Sequence, residues 1–162
     1  MIELQKFTES DFDKLISWIK SEEDLIQFAG TIFTYPLNRE QLLKYVSDNR
    51  RYTFKVVLIE SNESIGHCEI FLESDSSARF CRILIGEEKY RGKGFGKLIV
   101  KKMIEFSQEQ LHIKSVNLNV FEWNISAIKC YEKMGFVKSH INENAVSING
   151  KNWISINMKL LN

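Results

Sequence analysis

A basic, glycine-rich stretch at residues 91–97, RGKGFGK, leads directly into a helical pattern of apolar residues. Its three glycines occupy alternate positions, and cationic side chains flank them. Glycine costs conformational entropy, so such a run is expected where the backbone adopts a positive φ or closely approaches another group. Backbone N–H groups of a glycine loop and the N-terminus of a following helix bind anions. The stretch therefore predicts a loop that binds a phosphate or pyrophosphate group.

Spacing excludes two better-known phosphate-binding motifs. A Walker A loop needs a hydroxyl after its Gly-Lys pair, but Leu98 follows Gly96 and Lys97. The dinucleotide motif G-x-G-x-x-G fails because Lys97 stands at the third glycine position after Gly92 and Gly94. The remaining pattern is (Q/R)-x-x-G-x-(G/A). For these residues alone, a glycine-rich turn with solvated lysines is the alternative.

A second group of residues shares one helix face further along the chain. Asn124, Ile128 and Tyr131 are spaced i, i+4 and i+7 on a predicted helix. Asn124 is also a good helix N-cap without any ligand. A tyrosine on a buried helix face is more often part of the core than a catalyst. The spacing alone leaves the structural and functional interpretations open.

The elements that must position these residues follow from the hydrophobic patterns. Strands are predicted at 2–7, 52–60, 65–72, 78–85, 116–121, 136–141 and 153–160. Helices are predicted at 12–20, 21–33, 39–48, 98–111 and 124–134. An antiparallel meander followed by a β-α-β unit predicts an α+β fold with a mixed, mostly antiparallel central sheet flanked by helices.

Composition limits the possible classes of function. The chain has 162 residues and one proline without a linker-like tract, so one domain over 1–162 is expected. A net charge of +1 without a basic stripe argues against a nucleic-acid partner. No apolar run approaches the roughly 20 residues of a membrane span, so no membrane partner is expected. Cys68, Cys81 and Cys130 lie far apart, which predicts neither a metal site nor a disulfide framework and favours the cytoplasm.

From residue 78 to residue 137 the chain resembles the GNAT family of acetyl-CoA-dependent N-acetyltransferases. The resemblance rests on the strand ARFCRILIG, the loop RGKGFG, the strand NLNVF and the segment NISAIKCYEKMGF. That last segment is similar to the family pattern N-x-x-A-x-x-x-Y-x-x-x-G-F. Within the family, the opening helix with Trp18 and the segment FAGTIFTYPL look most similar to the branch that acts on ribosomal-protein N-termini and various small amines.

The resemblance implies a GNAT fold, acetyl-CoA as cofactor and a set of binding residues. The sheet would be splayed where strands 78–85 and 116–121 separate, and the pantetheine arm would add to the edge of the first strand. The pyrophosphate would lie on the glycine loop. The helix face with Asn124 and Tyr131 would contact the cofactor from its other side. The implied cofactor-binding residues are Ile83, Leu84, Ile85, Arg91, Gly92, Lys93, Gly94, Phe95, Gly96, Asn124 and Tyr131.

The same resemblance implies direct transfer of an acetyl group to an amine in a ternary complex. Tyr131 is the implied general acid for the departing thiolate. The base is less well defined, because Asn119 stands where some relatives carry a glutamate. Glu69 is the carboxylate chosen as the catalytic base, with Glu73 and His67 as further candidates and a water relay as an alternative.

The acceptor is expected to be a primary amine, either a protein N-terminus or a small molecule. An aminoglycoside or polyamine acceptor is the alternative, although 21 acidic and 22 basic residues provide no acidic excess for a polycation. A catalytically silent acyl-CoA-binding module is the alternative outside enzymes. The acceptor pocket is expected between the first helices, the loop 28–35 and the late hairpin 142–153. The family often forms dimers, so a homodimer is expected as a possible assembly.

Overall fold

A seven-stranded sheet runs through residues 1–161, which are the residues that the computed structural model describes. Its strands are β1 (Ile2–Lys6), β2 (Arg51–Leu58), β3 (Glu63–Leu72), β4 (Ser77–Ile85), β5 (Ser115–Phe121), β6 (Phe136–Ile148) and β7 (Lys151–Leu160). Their spatial order is β1-β2-β3-β4-β5-β7-β6. Only β4 and β5 pair in parallel, and every other neighbouring pair in the described sheet is antiparallel. The predicted mixed, mostly antiparallel α+β fold is confirmed.

Five α-helices accompany the sheet within the described residues. They are α1 (Phe12–Trp18), α2 (Glu22–Ala29), α3 (Arg39–Ser47), α4 (Phe95–Glu109) and α5 (Ile125–Lys133). Side chains cap the N-termini of α2 and α3. Ser21 accepts a hydrogen bond from the Asp24 N–H, and Asn38 accepts one from the Gln41 N–H. None of the helices in residues 1–161 combines the length and apolar character needed to cross a bilayer.

The sheet separates two hydrophobic clusters. One consists of the inner faces of α1, α2 and α3, and its fully buried members include Phe12, Leu15 and Leu42. The other joins α4 and α5 to the opposite face of the sheet, with Ile99 and Met103 at its centre. Side chains alternate between the two faces along a strand. The sheet therefore positions two different helix layers, one on each side of β4.

The largest differences between predicted and observed boundaries are at the ends of β6 and α2. Strand β6 continues to Ile148, whereas the sequence predicted an end at Ile141. It is the outer edge strand of the sheet, and most of its side chains are exposed. An edge strand without a buried face lacks the alternation that identifies strands in a sequence. Helix α2 ends at Ala29 rather than near residue 33, because Gly30 terminates it with φ of 61°.

Candidate active site

The parallel strands β4 and β5 separate halfway along their length. They pair over residues 77–80 and 115–118, and the rest of β4 pairs only with β3. The end of β5 pairs only with β7, so the described backbone edges that face each other across the gap have no strand partner. A cavity of about 1260 Å³ fills this gap, and the predicted residues Ile83, Leu84 and Ile85 all line it.

A bulge in β4 accompanies the separation. Between two successive paired positions, β3 advances from His67 to Glu69, whereas β4 uses one more residue between Leu84 and Cys81. Arg82 lies within this bulge with φ of 52°, a left-handed conformation that is uncommon for a residue with a long side chain. A bulge bends the strand that contains it and increases its twist. The bulge therefore turns the end of β4 away from β5.

A buried carboxylate holds Arg82 in this conformation. The guanidinium donates two hydrogen bonds to Glu69, whose side chain is fully buried, and is itself only 8% exposed. Arg51 donates to the same carboxylate at 2.7 Å, and the Tyr45 hydroxyl donates to it at 2.6 Å. A charge is stable in a protein interior only when it is paired and hydrogen-bonded. Both oxygens of Glu69 meet this condition.

These contacts alter the interpretation of Glu69, which the sequence favoured as the catalytic base. Burial alone would raise the pKa of Glu69, but Arg82, Tyr45 and Arg51 together hold that pKa below its ordinary value of 4.5. A carboxylate that binds protons so weakly is poorly suited to remove one from an ammonium group. Glu69 also lies outside the lining of the cavity. The geometry supports a positioning role, and the general-base role stays a prediction.

The two further candidate bases also lie outside the cavity lining. Burial lowers the pKa of His67 to about 3, so its imidazole is neutral. The His67 Nε2 lies 3.1 Å from the Tyr45 hydroxyl, and because that hydroxyl donates to Glu69, Nε2 carries the ring proton. Glu73 pairs with Arg79 at 2.9 Å beyond the end of β3. Neither side chain is placed to accept a proton from a ligand in the cavity.

The glycine loop forms part of the cavity wall and leads into α4. Gly92 and Gly94 have φ of 71° and 86°, and a Cβ added to either would meet no protein atom within 4 Å. The backbone conformation therefore favours glycine, and the space above the loop is open to a ligand. Helix α4 begins at Phe95, so its unpaired N–H groups and the positive end of its dipole lie at this loop.

Arg91, Gly96 and Lys97 also line the cavity. The Arg91 guanidinium folds back onto the end of β4, where it donates to the carbonyl oxygens of Ile85 at 3.1 Å and Gly86 at 3.3 Å. This contact ties the loop to the free strand edge. Lys97 follows the glycines on the first turn of α4 and supplies a positive charge beside the open space.

Two predicted loop residues have side chains outside the cavity lining. Lys93 is exposed, and Phe95 packs against the Tyr90 ring with centroids 6.0 Å apart. Phe95 also contacts the hydrophobic core beneath α4. Only the backbone N–H groups of these two residues remain as candidate contacts to a phosphate.

Helix α5 forms another wall of the cavity. The Asn124 Oδ1 accepts from the Ala127 N–H at 3.4 Å, so Asn124 caps the helix, and it also lines the cavity. Tyr131 lines the same cavity, and its ring makes an edge contact with Phe136. Burial raises the pKa of Tyr131 above its ordinary value of 10.0, so its hydroxyl stays protonated at neutral pH.

Sequence reasoning missed Arg82, Arg51 and the position of Trp18. The Trp18 ring occupies the space that a Cβ on Gly86 would need, and both residues line the cavity. The signal for Arg82 was a charge within the apolar strand FCRILI, matched by Glu69 within IGHCEIFL. Buried charges are almost always paired, so two opposite charges in adjacent strands could have indicated the ion pair. Arg51 left no such signal.

Strands that part around a cavity, beside a glycine loop that starts a helix, have the architecture of an acyl-CoA-dependent transferase. Residues 2–137 match the family described as Acetyltransferase (GNAT) domain. The chain belongs to this family, whose members use acetyl-CoA as the acetyl donor. It is an acetyltransferase that transfers the acetyl group to an amine.

Three known proteins illustrate the similarity. A prophage-derived uncharacterized N-acetyltransferase, YokL, from Bacillus subtilis is 29% identical over 129 residues, which cover 78% of this chain and 69% of that protein. A spermine/spermidine N(1)-acetyltransferase from the same organism is 42% identical over 50 residues, 31% of this chain and 33% of that protein. Spermidine N-acetyltransferase from Vibrio cholerae, solved with CoA and spermine, has a TM-score of 0.84 at 21% identity, covering 98% of this chain and 94% of that chain. None of these three relatives is named as a ribosomal-protein N-terminal acetyltransferase.

Replacing Glu69 with Gln is expected to destabilise the fold by about 3 kcal/mol at pH 7, because two guanidinium groups lose their buried carboxylate. The folded-state pKa of Glu69 lies below its ordinary value of 4.5. Its contribution is therefore present above pH 4.5 and is lost as the pH falls through the folded-state pKa. Urea unfolding of both proteins from pH 7 down to pH 4 should show the stability difference shrinking at the acidic end.

Glu73→Gln is the matched control, because Glu73 also pairs with an arginine but its side chain is 28% exposed. It should cost less than about 1 kcal/mol. Equal losses for the two variants would contradict the buried network. A folded Glu69→Gln enzyme that loses an ionisation from its profile of kcat/KM against pH would instead restore Glu69 as the base.

Proposed function

We propose that this enzyme acetylates a primary amine of a small cationic molecule, with linear polyamines as the favoured acceptors. The observation that carries the proposal is the continuous cavity of about 1260 Å³ that extends from the glycine loop along the edge of β4 to α1 and α2. Its loop end suits the phosphates of the donor, and its helix end leaves room for an acceptor. The similarity to spermidine and spermine acetyltransferases supports a polyamine.

Acetyl-CoA fits the residues on the donor side of the cavity. When bound, it supplies the acetyl group as a thioester. The open space above Gly92 and Gly94 would receive the pyrophosphate, held by backbone N–H groups and by the charge of Lys97. The edge at 83–85, which has no strand partner on the β5 side, would hydrogen-bond the pantetheine amides in the manner of an added strand. Asn124 would contact the same arm from α5.

Tyr131 is the proposed general acid. Its hydroxyl keeps its proton at neutral pH and can donate that proton to the departing sulfur. The acceptor must lose a proton, since alkylammonium groups have a pKa near ~10. Among residues 1–161, the carboxylates that line the cavity belong to Asp24, Glu87 and Glu88. Because the cavity is open to solvent, water can carry the proton from the amine to these groups or to bulk.

The proposal treats residues 1–162 as one acetyltransferase domain. A protein N-terminus and an aminoglycoside remain the alternative acceptors. The balanced net charge weighed against a polycation in the sequence, and the helix end of the cavity is mixed in charge, with Asp24 beside Lys14 and Lys20. A further carboxylate, that of Glu23, lines the smaller cavity next to Asp24. Local charge, rather than the net charge, decides whether a cation is attracted. A homodimer and a cytoplasmic location stay predictions.

The proposed acceptor class is tested by supplying acetyl-CoA together with one amine at a time. Spermidine, an aminoglycoside, 1-aminobutane and a peptide with a free N-terminus form the panel, with thiol release and product mass as readouts. We expect acetylated spermidine with the highest kcat/KM. Acetylation of the peptide or the aminoglycoside alone would refute the acceptor class. Absence of acetylation for every amine by a protein that binds acetyl-CoA would refute the proposed function.

Tyr131→Phe is expected to lower kcat about 10²-fold, because the ring is kept and only the proton donor is removed. Affinity for acetyl-CoA, measured by calorimetry, should change by less than about twofold. Tyr52→Phe is the control, since Tyr52 packs against Phe106 on the sheet and lies outside the cavity lining. A fully active Tyr131→Phe enzyme would remove Tyr131 from the mechanism.

A further inference from the structure

A second, smaller cavity adjoins the acceptor end of the main cavity. It has a volume of about 340 Å³ and is lined by Glu23, Asp24, Gln27, Trp123 and Trp153. We call this smaller cavity the annex. Asp24 and Gln27 also line the main cavity. The two cavities therefore meet at these two side chains.

One wall of the annex is aromatic. The rings of Trp123 and Trp153 meet edge to face with centroids 5.2 Å apart, and the Phe121 ring lies 5.0 Å from Trp153. Trp123 nevertheless keeps 47% of its surface exposed. Aromatic faces attract ammonium groups through the ring quadrupole, and tryptophan does so most strongly. An exposed aromatic cluster that lines a cavity matches the chemistry of a cation site better than that of a core.

The other wall of the annex is acidic and lies on the first turn of α2. The Glu23 Oε1 accepts from the Asn149 Nδ2 at 3.3 Å, so the late hairpin contacts this carboxylate. Asp24 accepts from the Lys20 N–H at 3.1 Å. Each carboxylate is thereby oriented by one neighbouring donor while still lining the cavity.

We propose that the annex binds a second ammonium group of the acceptor while the first amine lies in the main cavity for acetylation. The inference rests on the proposed function and adds a specificity rule to it. A linear di- or polyamine occupies both cavities, whereas a monoamine of the same length leaves the annex without a cation. Trp123, Trp153 and Glu23 line only the annex, so they act on acceptor choice and not on the donor.

The test uses two amines that differ by a single ammonium group, 1,8-diaminooctane and 1-aminooctane. Calorimetry measures the binding of each to the protein saturated with CoA, so turnover is not needed. We expect the diamine to bind about tenfold more tightly than the monoamine, since an aromatic wall and a carboxylate contribute together. Spermidine should behave like the diamine.

Three variants separate the annex from a general charge effect. Trp123→Leu and Glu23→Gln should each weaken diamine binding by about three- to tenfold and leave monoamine and acetyl-CoA binding unchanged. Glu109→Gln removes an equal charge from the exposed end of α4 and should change nothing. Circular dichroism should show that all three variants are folded.

Equal affinities for the two amines in the wild-type protein would overturn the proposal, and so would undetectable diamine binding. Variants that weaken both amines equally would overturn it as well. These outcomes are distinct from failure of the proposed function. Acetylation of amines, with no tighter binding of the diamine than of the monoamine, would refute the proposed role of the annex alone. Tight, annex-dependent diamine binding without acetyl transfer would instead refute the proposed function alone.

Discussion

Arg82 lies in the middle of β4 with a positive φ, and the fully buried carboxylate of Glu69 holds its guanidinium from the neighbouring strand. The bulge around Arg82 bends β4, and the bend separates β4 from β5. That separation creates both the unpaired strand edge and the cavity. Without the carboxylate, the largely buried Arg82 would lose its ion-pair partner, and Arg51 would keep only Asp48, at 3.4 Å.

The same ion pair connects the two halves of the site. Tyr45 reaches Glu69 from α3, which packs in the same hydrophobic cluster as α1 and α2. Those helices supply Trp18 and Asp24 to the acceptor side of the cavity. A single buried carboxylate thus contacts both the bulged strand at the cavity edge and a helix of the layer that contributes Trp18 and Asp24 to the cavity. The hydrogen bonds from Arg82, Arg51 and Tyr45 offset the cost of burying a charged residue in an apolar strand.

Much of the donor side could be predicted from sequence, because its determinants are local. Gly92 and Gly94 adopt the positive φ that their spacing indicated, and Asn124 caps α5 as its position before the helix indicated. The pairing of Glu69 was harder to predict, because its one sequence signal was the opposite charge of Arg82 in another apolar strand. A carboxylate in a strand looks the same in sequence whether it faces solvent, a ligand or an arginine, and only tertiary pairing distinguishes these cases.

The acceptor side was harder still, because its residues are distant in the chain. Trp123 and Trp153 are distant in the chain from Glu23, and the three residues meet because the β6–β7 hairpin contacts α2. No local periodicity encodes that contact. The length of β6 escaped prediction for a related reason, since an exposed edge strand buries no alternating face.

The most direct test of this account is calorimetric titration of acetyl-CoA into the wild-type protein and Gly94→Ala. Gly150→Ala is the matched control, because both glycines have a positive φ and neither has a protein atom within 4 Å of an added Cβ. The two variants therefore carry similar backbone strain, but only Gly94 lines the cavity. The account predicts at least about tenfold weaker binding for Gly94→Ala, because its Cβ obstructs the backbone amides that hold the pyrophosphate, and unchanged binding for Gly150→Ala. Wild-type affinity in Gly94→Ala would show that the loop does not hold the donor and would contradict the account.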